Sequence, residues 1–417
     1  NEAVLGVLLL CLGGGAIISM PLAGPLTARF GCRKIIGCAV LIILLSMPFL
    51  TLANDPVSLG LLLLTFGTGI GLANCAMNIQ AILVEKNESI PLMSGFHGMY
   101  SVGGIAGAGV MTGLLTVGLN IHTASLSVCL IIFLLLIASY RQLLTYASPA
   151  EGPSFSFPKG DVLLLGVICF IVFLAEGTVL DWSAVYLSEV RQVADSQAGL
   201  GFTCFAVAMT VGRLSGDAVI SRLGALPVVI YGAILAFFGF CLIILVSSIP
   251  ALLAGYFFIG AGCANIVPVM FSQIGKQQSM PQAVAVPAVT TMGYIGVLAG
   301  PAMIGFIAHR SSLPAAFIFV AALMILVLML SLALSKTLKL HQEIKVKRIV
   351  LFSGGSACRS LNIALCHHPV SLTRIVPAWD SGGSSRSLRE NIDVLSVGDI
   401  RQALMTMAYG ENCSGDI

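Results

Sequence analysis

Residues 24–34 read GPLTARFGCRK, and residues 212–224 read GRLSGDAVISRLG. Each closes an apolar run with a basic residue and a glycine, and the two superpose as Arg29-Phe30-Gly31 on Arg222-Leu223-Gly224, an offset of 193. The same offset carries Gly103 and Gly107 onto Gly296 and Gly300. At 191, Gly69-x-Gly71-x-Ala73-Asn74 recurs as Gly260-x-Gly262-x-Ala264-Asn265. A nearly fixed offset across most of a chain marks a tandem duplication of one structural unit.

The surrounding sequence says where that unit lives. Of 417 residues, 57% are hydrophobic and only 9% charged, with a mean hydropathy of +1.00, which excludes an ordinary soluble domain. Thirteen of the 21 Lys/Arg and 11 of the 18 Asp/Glu precede Leu340, leaving 8 and 7 for the last 77 residues, so the chain changes class there. A net charge of +3 is too small to point to a nucleic-acid partner, and none is expected. Nine of the twelve cysteines lie in the apolar part without a C-x-x-C pair, and they read as packing residues, with no metal site implied.

A bilayer core takes about 20 helical residues per crossing. Eleven runs of that kind are predicted, at 3–23, 35–53, 57–84, 92–117, 121–140, 161–187, 197–220, 226–246, 250–275, 282–308 and 313–335. The Pro- and Ser-rich residues 141–160 separate a first half, 1–140, from a second, 161–340, and residues 341–417 form a polar tail. Alternating the loops places Arg29, Arg33, Lys34, Lys86, Arg141, Lys159, Arg222, Lys276, Lys336 and Lys339 on one side, against Arg191 and Arg310 on the other. The positive-inside rule makes the first side, and the tail with it, cytoplasmic. Both halves keep the same sidedness, so the repeat is parallel. The offset also sets Glu2 and Gly6 against Asp195 and Gly199, which follow the span at 161–187. The first half therefore lacks a counterpart of that span, and six plus six spans are expected of a complete protein.

Inside the spans, Glu176 is an acidic residue about 22 Å from the cytoplasmic end of its helix, at 1.5 Å per residue. Intramembrane carboxyls are costly and often functional, so Glu176 is a candidate proton carrier, with a structural, hydrogen-bonded Glu as the alternative. Asn74, Asn78 and Glu85 form one helical stripe, and Asn265, Ser272 and Lys276 a similar one in the repeat. These stripes either line a central solute cavity or join helices through amide bonds. Tyr100 and His97, with Thr290, Thr291 and Tyr294 in the repeat-related span, are further cavity candidates. Arg213 and Asp217, spaced i, i+4, read as a gate-locking pair, and Gly103, Gly107, Gly296 and Gly300 as close-packing sites.

Twelve expected spans in two parallel halves, with the basic G-x-x-x-x-R-F-G-x-R-K segment, resemble the major facilitator superfamily. MNIQAILVE at 77–85, SGFHGMYSVGGIAGAG at 94–109, AEGTVLDWSAVYL at 175–187, ANIVPVMFS at 264–272 and TTMGYIGVLAGP at 290–301 look like its YbjJ-type, sugar-permease-like bacterial branch. The resemblance implies an all-α membrane protein of the major facilitator fold in the inner membrane, active as a monomer. It implies secondary transport of a small polar solute, sugar-like or a related metabolite, with proton coupling and without a cofactor. It also implies gating roles for Arg29, Arg33, Lys34, Arg213, Asp217 and Arg222. Ala28 stands where the superfamily pattern has Asp.

In the tail, the strand pattern Arg348–Phe352 runs into Ser353-Gly354-Gly355-Ser356, a second strand pattern covers 371–379, and DSGGSS follows at 380–385. In that order these motifs resemble the CofD-like superfamily of 2-phospho-L-lactate transferase and the gluconeogenesis factor. The resemblance implies a truncated α/β nucleotide-binding domain with phosphate or nucleotide contacts at Gly354, Gly355, Asp380, Gly382, Gly383 and Ser384. A membrane-tethered CofD-like transferase fused to a carrier is accordingly the alternative to a transporter alone.

Overall fold

The computed structural model describes residues 2–147, 157–277, 279–343, 347–352 and 370–375. It separates into two units, Asn1–Leu334 and Ser335–Ile417.

In the first unit the helices are α1 (Glu2–Phe30), α2 (Cys32–Leu50), α3 (Pro56–Glu88), α4 (Met93–Thr116), α5 (Ile121–Tyr140), α6 (Asp161–Val185), α7 (Asp195–Ala198), α8 (Leu200–Leu223), α9 (Ala225–Leu245), α10 (Ile249–Cys263), α11 (Ile266–Ile274), α12 (Gln282–Arg310) and α13 (Leu313–Glu343), which runs on into the second unit. A π-helical turn, Tyr186–Val190, extends α6. Among the described residues these elements supply eleven segments long and apolar enough to cross a membrane, matching the eleven predicted ones within a few residues except at two places. Large side chains such as Leu10, Leu45 and Leu245 point outward, as lipid rather than water demands.

The first exception is the basic segment. It is predicted to begin a loop near residue 23, but α1 continues through Pro21 and Pro25 to Phe30, and the connection shrinks to Gly31. Gly31 has φ 83° and ψ 155°, and its repeat mate Gly224, between α8 and α9, has φ 87° and ψ 157°. A side chain is disfavoured there, and only glycine reverses a helix in one residue at low cost. The duplication seen in the sequence is thus a duplication of backbone conformation.

The second is the span at 250–275, which breaks into α10 and α11 at Ala264-Asn265. Pro268 accounts for the break: it has no N–H to offer the Ala264 carbonyl four residues back, and its ring crowds that carbonyl. The repeat mate α3 carries Met77 at the corresponding position and is continuous.

Packing between repeat-related helices is unequal. On α12, a Cβ at Gly296 would run into the backbone of Phe170, and one at Gly300 would press on Leu174, so α6 and α12 approach closely. Gly103 and Gly107 on α4 meet nothing. The close-packing expectation therefore holds for the second pair and not the first. The physical reason is that α6, which covers α12, has no counterpart against α4 among the described residues. Only 6% of the α4 span is buried, against 56% for α12.

In the second unit, β1 (Lys347–Phe352) and β2 (Val370–Ile375) pair in parallel with Lys347 opposite Val370 and Phe352 opposite Ile375. The predicted strand patterns at 348–352 and 371–379 coincide with them as far as residue 375, and residues 376–379 lie outside the described residues. The six phosphate candidates, Gly354, Gly355, Asp380, Gly382, Gly383 and Ser384, lie outside the described residues.

Candidate functional site

The two halves meet through α1 against α12 and α4 against α8, close to the basic C-terminal ends of α1 and α8. Gly24 of α1 presses on the Ala283 carbonyl and on Pro287 of α12, and Gly98 of α4 presses on Leu214 of α8. Cys75, buried on α3, faces Thr290 of α12.

Asp217 sits at this junction, and it does something other than pair with Arg213 as its i, i+4 spacing suggests. Its carboxylate accepts from the backbone N–H groups of Ser94 (3.0 Å) and Gly95 (2.7 Å), in the first turn of α4. Glu85, from α3, accepts from the preceding N–H groups of Leu92 and Met93, both at 2.9 Å. The four free donors at the start of α4 are thereby divided between a carboxylate of its own half and one of the other half. A negative charge at a helix N-terminus is stabilised by about 0.3–1 kcal/mol, rising to about 2 in partly buried geometry. Glu85 thus leaves the cavity stripe on which its spacing placed it, because capping α4 satisfies it locally. In the repeat, Gly24 falls at the position of Asp217, and α12 is approached there by backbone instead of by charge.

Deeper in the unit, Arg213 turns away from Asp217 towards Glu176 of α6. Its Nη2 lies 3.2 Å from Glu176 Oε1 and 3.4 Å from Oε2, with the two side chains 8% and 16% exposed. Nε donates to the Ala264 carbonyl at 3.3 Å, the acceptor that Pro268 leaves without a helical donor. Nη1 donates to Ser101 Oγ of α4 at 3.2 Å, and Ser101 in turn donates to the His97 carbonyl. One guanidinium therefore ties α6, α8 and the α10–α11 break of the second half to α4 of the first. Removing one member of a buried pair leaves the other uncompensated, typically at about 3–5 kcal/mol.

The other sequence candidates are placed more plainly. Asn78 donates to Asn74 Oδ1 at 2.8 Å within α3, whereas Asn265 donates to the Gly212 carbonyl of α8 at 2.9 Å and keeps Oδ1 buried without a partner. The structure does not join the two stripes into one network among the described residues. Thr290 is buried and donates to Val286 O, Tyr294 is partly exposed, and Tyr100 is 74% exposed on the open face of α4. Arg33 donates to the carbonyls of Leu143 and Arg141, fastening α2 to the end of α5 within one half. Arg29 stacks on Phe30, and Lys34 and Arg222 are exposed. Of the six gating candidates, Arg213 and Asp217 reach across the halves.

One link of the site escaped the sequence reading. The Glu176–Arg213 pair spans 37 positions and has no local signature, but the Pro268 that frees Ala264 was visible in ANIVP at 264–268. His97 Nε2 is buried without a partner, and its ring packs on Phe271 at 5.8 Å between centroids. Among the described residues no three His, Cys, Asp or Glu side chains gather in a way that could hold a metal ion.

Known proteins carry the same architecture. The Major Facilitator Superfamily profile matches residues 165–350, and that of 2-phospho-L-lactate transferase CofD matches residues 349–417. An uncharacterised MFS-type transporter of Yersinia pestis is 46% identical over 328 residues, 78% of this chain and 85% of its own. A crystal structure of the major facilitator transporter FucP in the outward conformation superposes with a TM-score of 0.63 at 14% identity, covering 78% of this chain and 88% of FucP. The gluconeogenesis factor of Halalkalibacterium halodurans is 40% identical over 67 residues, 16% of this chain, so the tail spans about a fifth (21%) of that relative. With the eleven apolar helices, the repeated glycine reversals and the long Yersinia match all in agreement, the chain belongs to the major facilitator superfamily of multi-pass membrane transporters.

Proposed function

We propose that this protein moves a small polar solute across the bacterial inner membrane by alternating access, with a proton as the coupled ion and Glu176 as its carrier. The observation that carries this reading is the buried Glu176–Arg213 pair, which sits where α6, α8 and the α10–α11 break meet α4 of the other half. Protonating Glu176 cancels its attraction for Arg213 and loosens the tie between the halves, so proton binding and rocking are linked. The basic C-terminal ends of α1 and α8 are taken as cytoplasmic ends. With α1 against α12 and α4 against α8 there, the arrangement described is closed to the cytoplasm, and Asp217 on the first turn of α4 is the latch. Asn74, Asn78, Asn265, Tyr100, Thr290 and Tyr294 are the residues from which solute contacts are drawn.

Reconstitution tests this. In proteoliposomes carrying a pH dye, a solute accepted from a library of small metabolites should acidify the lumen as it enters, and Glu176→Gln should abolish the acidification.

A second reading concerns the tail, where the parallel β1–β2 pair and the CofD match over 349–417 coincide. Parallel pairing is the start of a crossover α/β unit. On this reading Gly354, Gly355, Asp380, Gly382, Gly383 and Ser384 contact a phosphate or nucleotide, and the chain couples a carrier to part of a transferase. Titrating the protein with ATP and GTP checks it: saturable binding lost on Gly354→Val together with Gly382→Val is the expected result.

A further inference from the structure

A buried guanidinium needs a counter-ion, and Arg213 needs one in every state of the cycle in which it stays buried. Glu176 fills that role loosely. Both carboxylate oxygens address a single nitrogen, Nη2, at 3.2 and 3.4 Å, whereas a tight guanidinium–carboxylate contact is a two-nitrogen fork at about 2.7–2.9 Å. Nε and Nη1 spend one donor each on Ala264 O and Ser101 Oγ, which leaves a second Nη1 hydrogen without an acceptor among the described residues. Close by, one turn before Ser101, His97 Nε2 is buried and unpartnered. The site therefore holds a fixed cation, a weakly seated anion, and hydrogen-bonding groups left over.

We propose that the carried solute bears a carboxylate, and that this carboxylate takes the place of Glu176 on Arg213 when Glu176 takes up a proton. The inference rests on the reading of Glu176 as proton carrier. The exchange balances: Glu176 gains one proton and becomes neutral, the solute brings one negative charge, and the charge of the site is unchanged. One proton and one monoanion cross together without net charge. A neutral sugar cannot do this, since protonation of Glu176 in its presence would strand Arg213 in the membrane interior. Besides Arg213 on α8, the groups near Glu176 and its partner are Cys263 on α10, Cys169 on α6 itself and His97 on α4. Arg213 is the permanent cation among them and His97 the second base, so the site has a single firm anchor for an anion.

The test is binding to the purified full chain in detergent, read by the unfolding midpoint at constant ionic strength. The probes are three matched pairs: acetate and acetamide, lactate and 1,2-propanediol, D-glucuronate and D-glucose. In Glu176→Gln, which removes the resident anion, at least one carboxylate should stabilise at about tenfold lower concentration than its neutral partner. Glu176→Gln with Arg213→Met should lose that preference. The unaltered protein gives a second measurement that needs no variant to fold: the carboxylate preference should be present at acidic pH and absent at alkaline pH. Neutral partners that stabilise as well as their carboxylates, or carboxylates without effect on both proteins, would overturn the inference. Either result would leave transport itself standing. Loss of solute-driven proton movement with carboxylate binding intact would instead strike the coupling reading.

Discussion

Arg213 is buried and Glu176 largely so, each with the other as counter-ion, so their removal is not symmetric with their joint removal. Arg213→Met alone is expected to lower stability by about 3–5 kcal/mol, and Glu176→Gln with Arg213→Met to recover most of it. Thermal unfolding of the four proteins of that double-mutant cycle reads the coupling directly. Asp217 acts on a smaller scale. Replacing it with Asn removes the charge from the first turn of α4 at a cost of about 1–2 kcal/mol, so the contact between α4 and α8 should open roughly tenfold more often. Alkylation of Cys75, buried between α3 and Thr290, reports that opening by mass spectrometry. Outside the membrane, Asp55 caps α3, and hydrogen bonds from Ser58 and then Val57 hold its carboxyl below the usual value. A carboxyl depressed in the folded state contributes at neutral pH, and that contribution is lost as pH falls through its folded value.

At the level of the elements, the glycines of α12 and α4 separate packing from conformational freedom. Gly296→Leu should prevent folding or lower the unfolding midpoint sharply, because α6 backbone occupies the space its side chain needs. Gly103→Leu in this chain should be tolerated, since nothing lies within 4 Å. Comparing monodisperse yield of the two variants by size-exclusion chromatography is sufficient. Pro268→Ala restores a donor for the Ala264 carbonyl, and is expected to straighten the α10–α11 break and release Arg213 Nε. The helices themselves were readable in the sequence because bilayer thickness dictates their length and hydrophobicity dictates their place. The extension of α1 through Pro25 was not, since proline ordinarily ends a helix in water and is tolerated in lipid, where neighbouring helices support the freed groups. The pairing of Glu176 with Arg213 was hidden for a different reason: it depends on how three helices cross, which no local pattern encodes. Glu85 and Asp217 show the same limit, because the i, i+4 stripe that placed them was correct in geometry and silent about which neighbouring N–H groups compete for a carboxylate.

For the whole molecule, duplication explains both what is alike and what differs between the halves. The reversals at Gly31 and Gly224 are superposable, and the interfaces α1–α12 and α4–α8 are repeat-related, yet one is closed by backbone contact at Gly24 and the other by the charge of Asp217. A symmetric scaffold with an asymmetric contact between its halves and, among the described residues, one ion pair inside the spans is suited to rocking of the two halves. The apolar exterior makes the chain an integral membrane protein, and alkaline carbonate washing of membranes should leave it in the pellet.

The central claim is that Glu176 carries the proton. The measurement that meets it most directly is lumenal pH in proteoliposomes of the unaltered protein and of Glu176→Gln, recorded alongside exchange of labelled solute across the same membranes. Solute-driven acidification in the first, and exchange without acidification in the second, is the expected result. Equal acidification by both proteins would contradict the account.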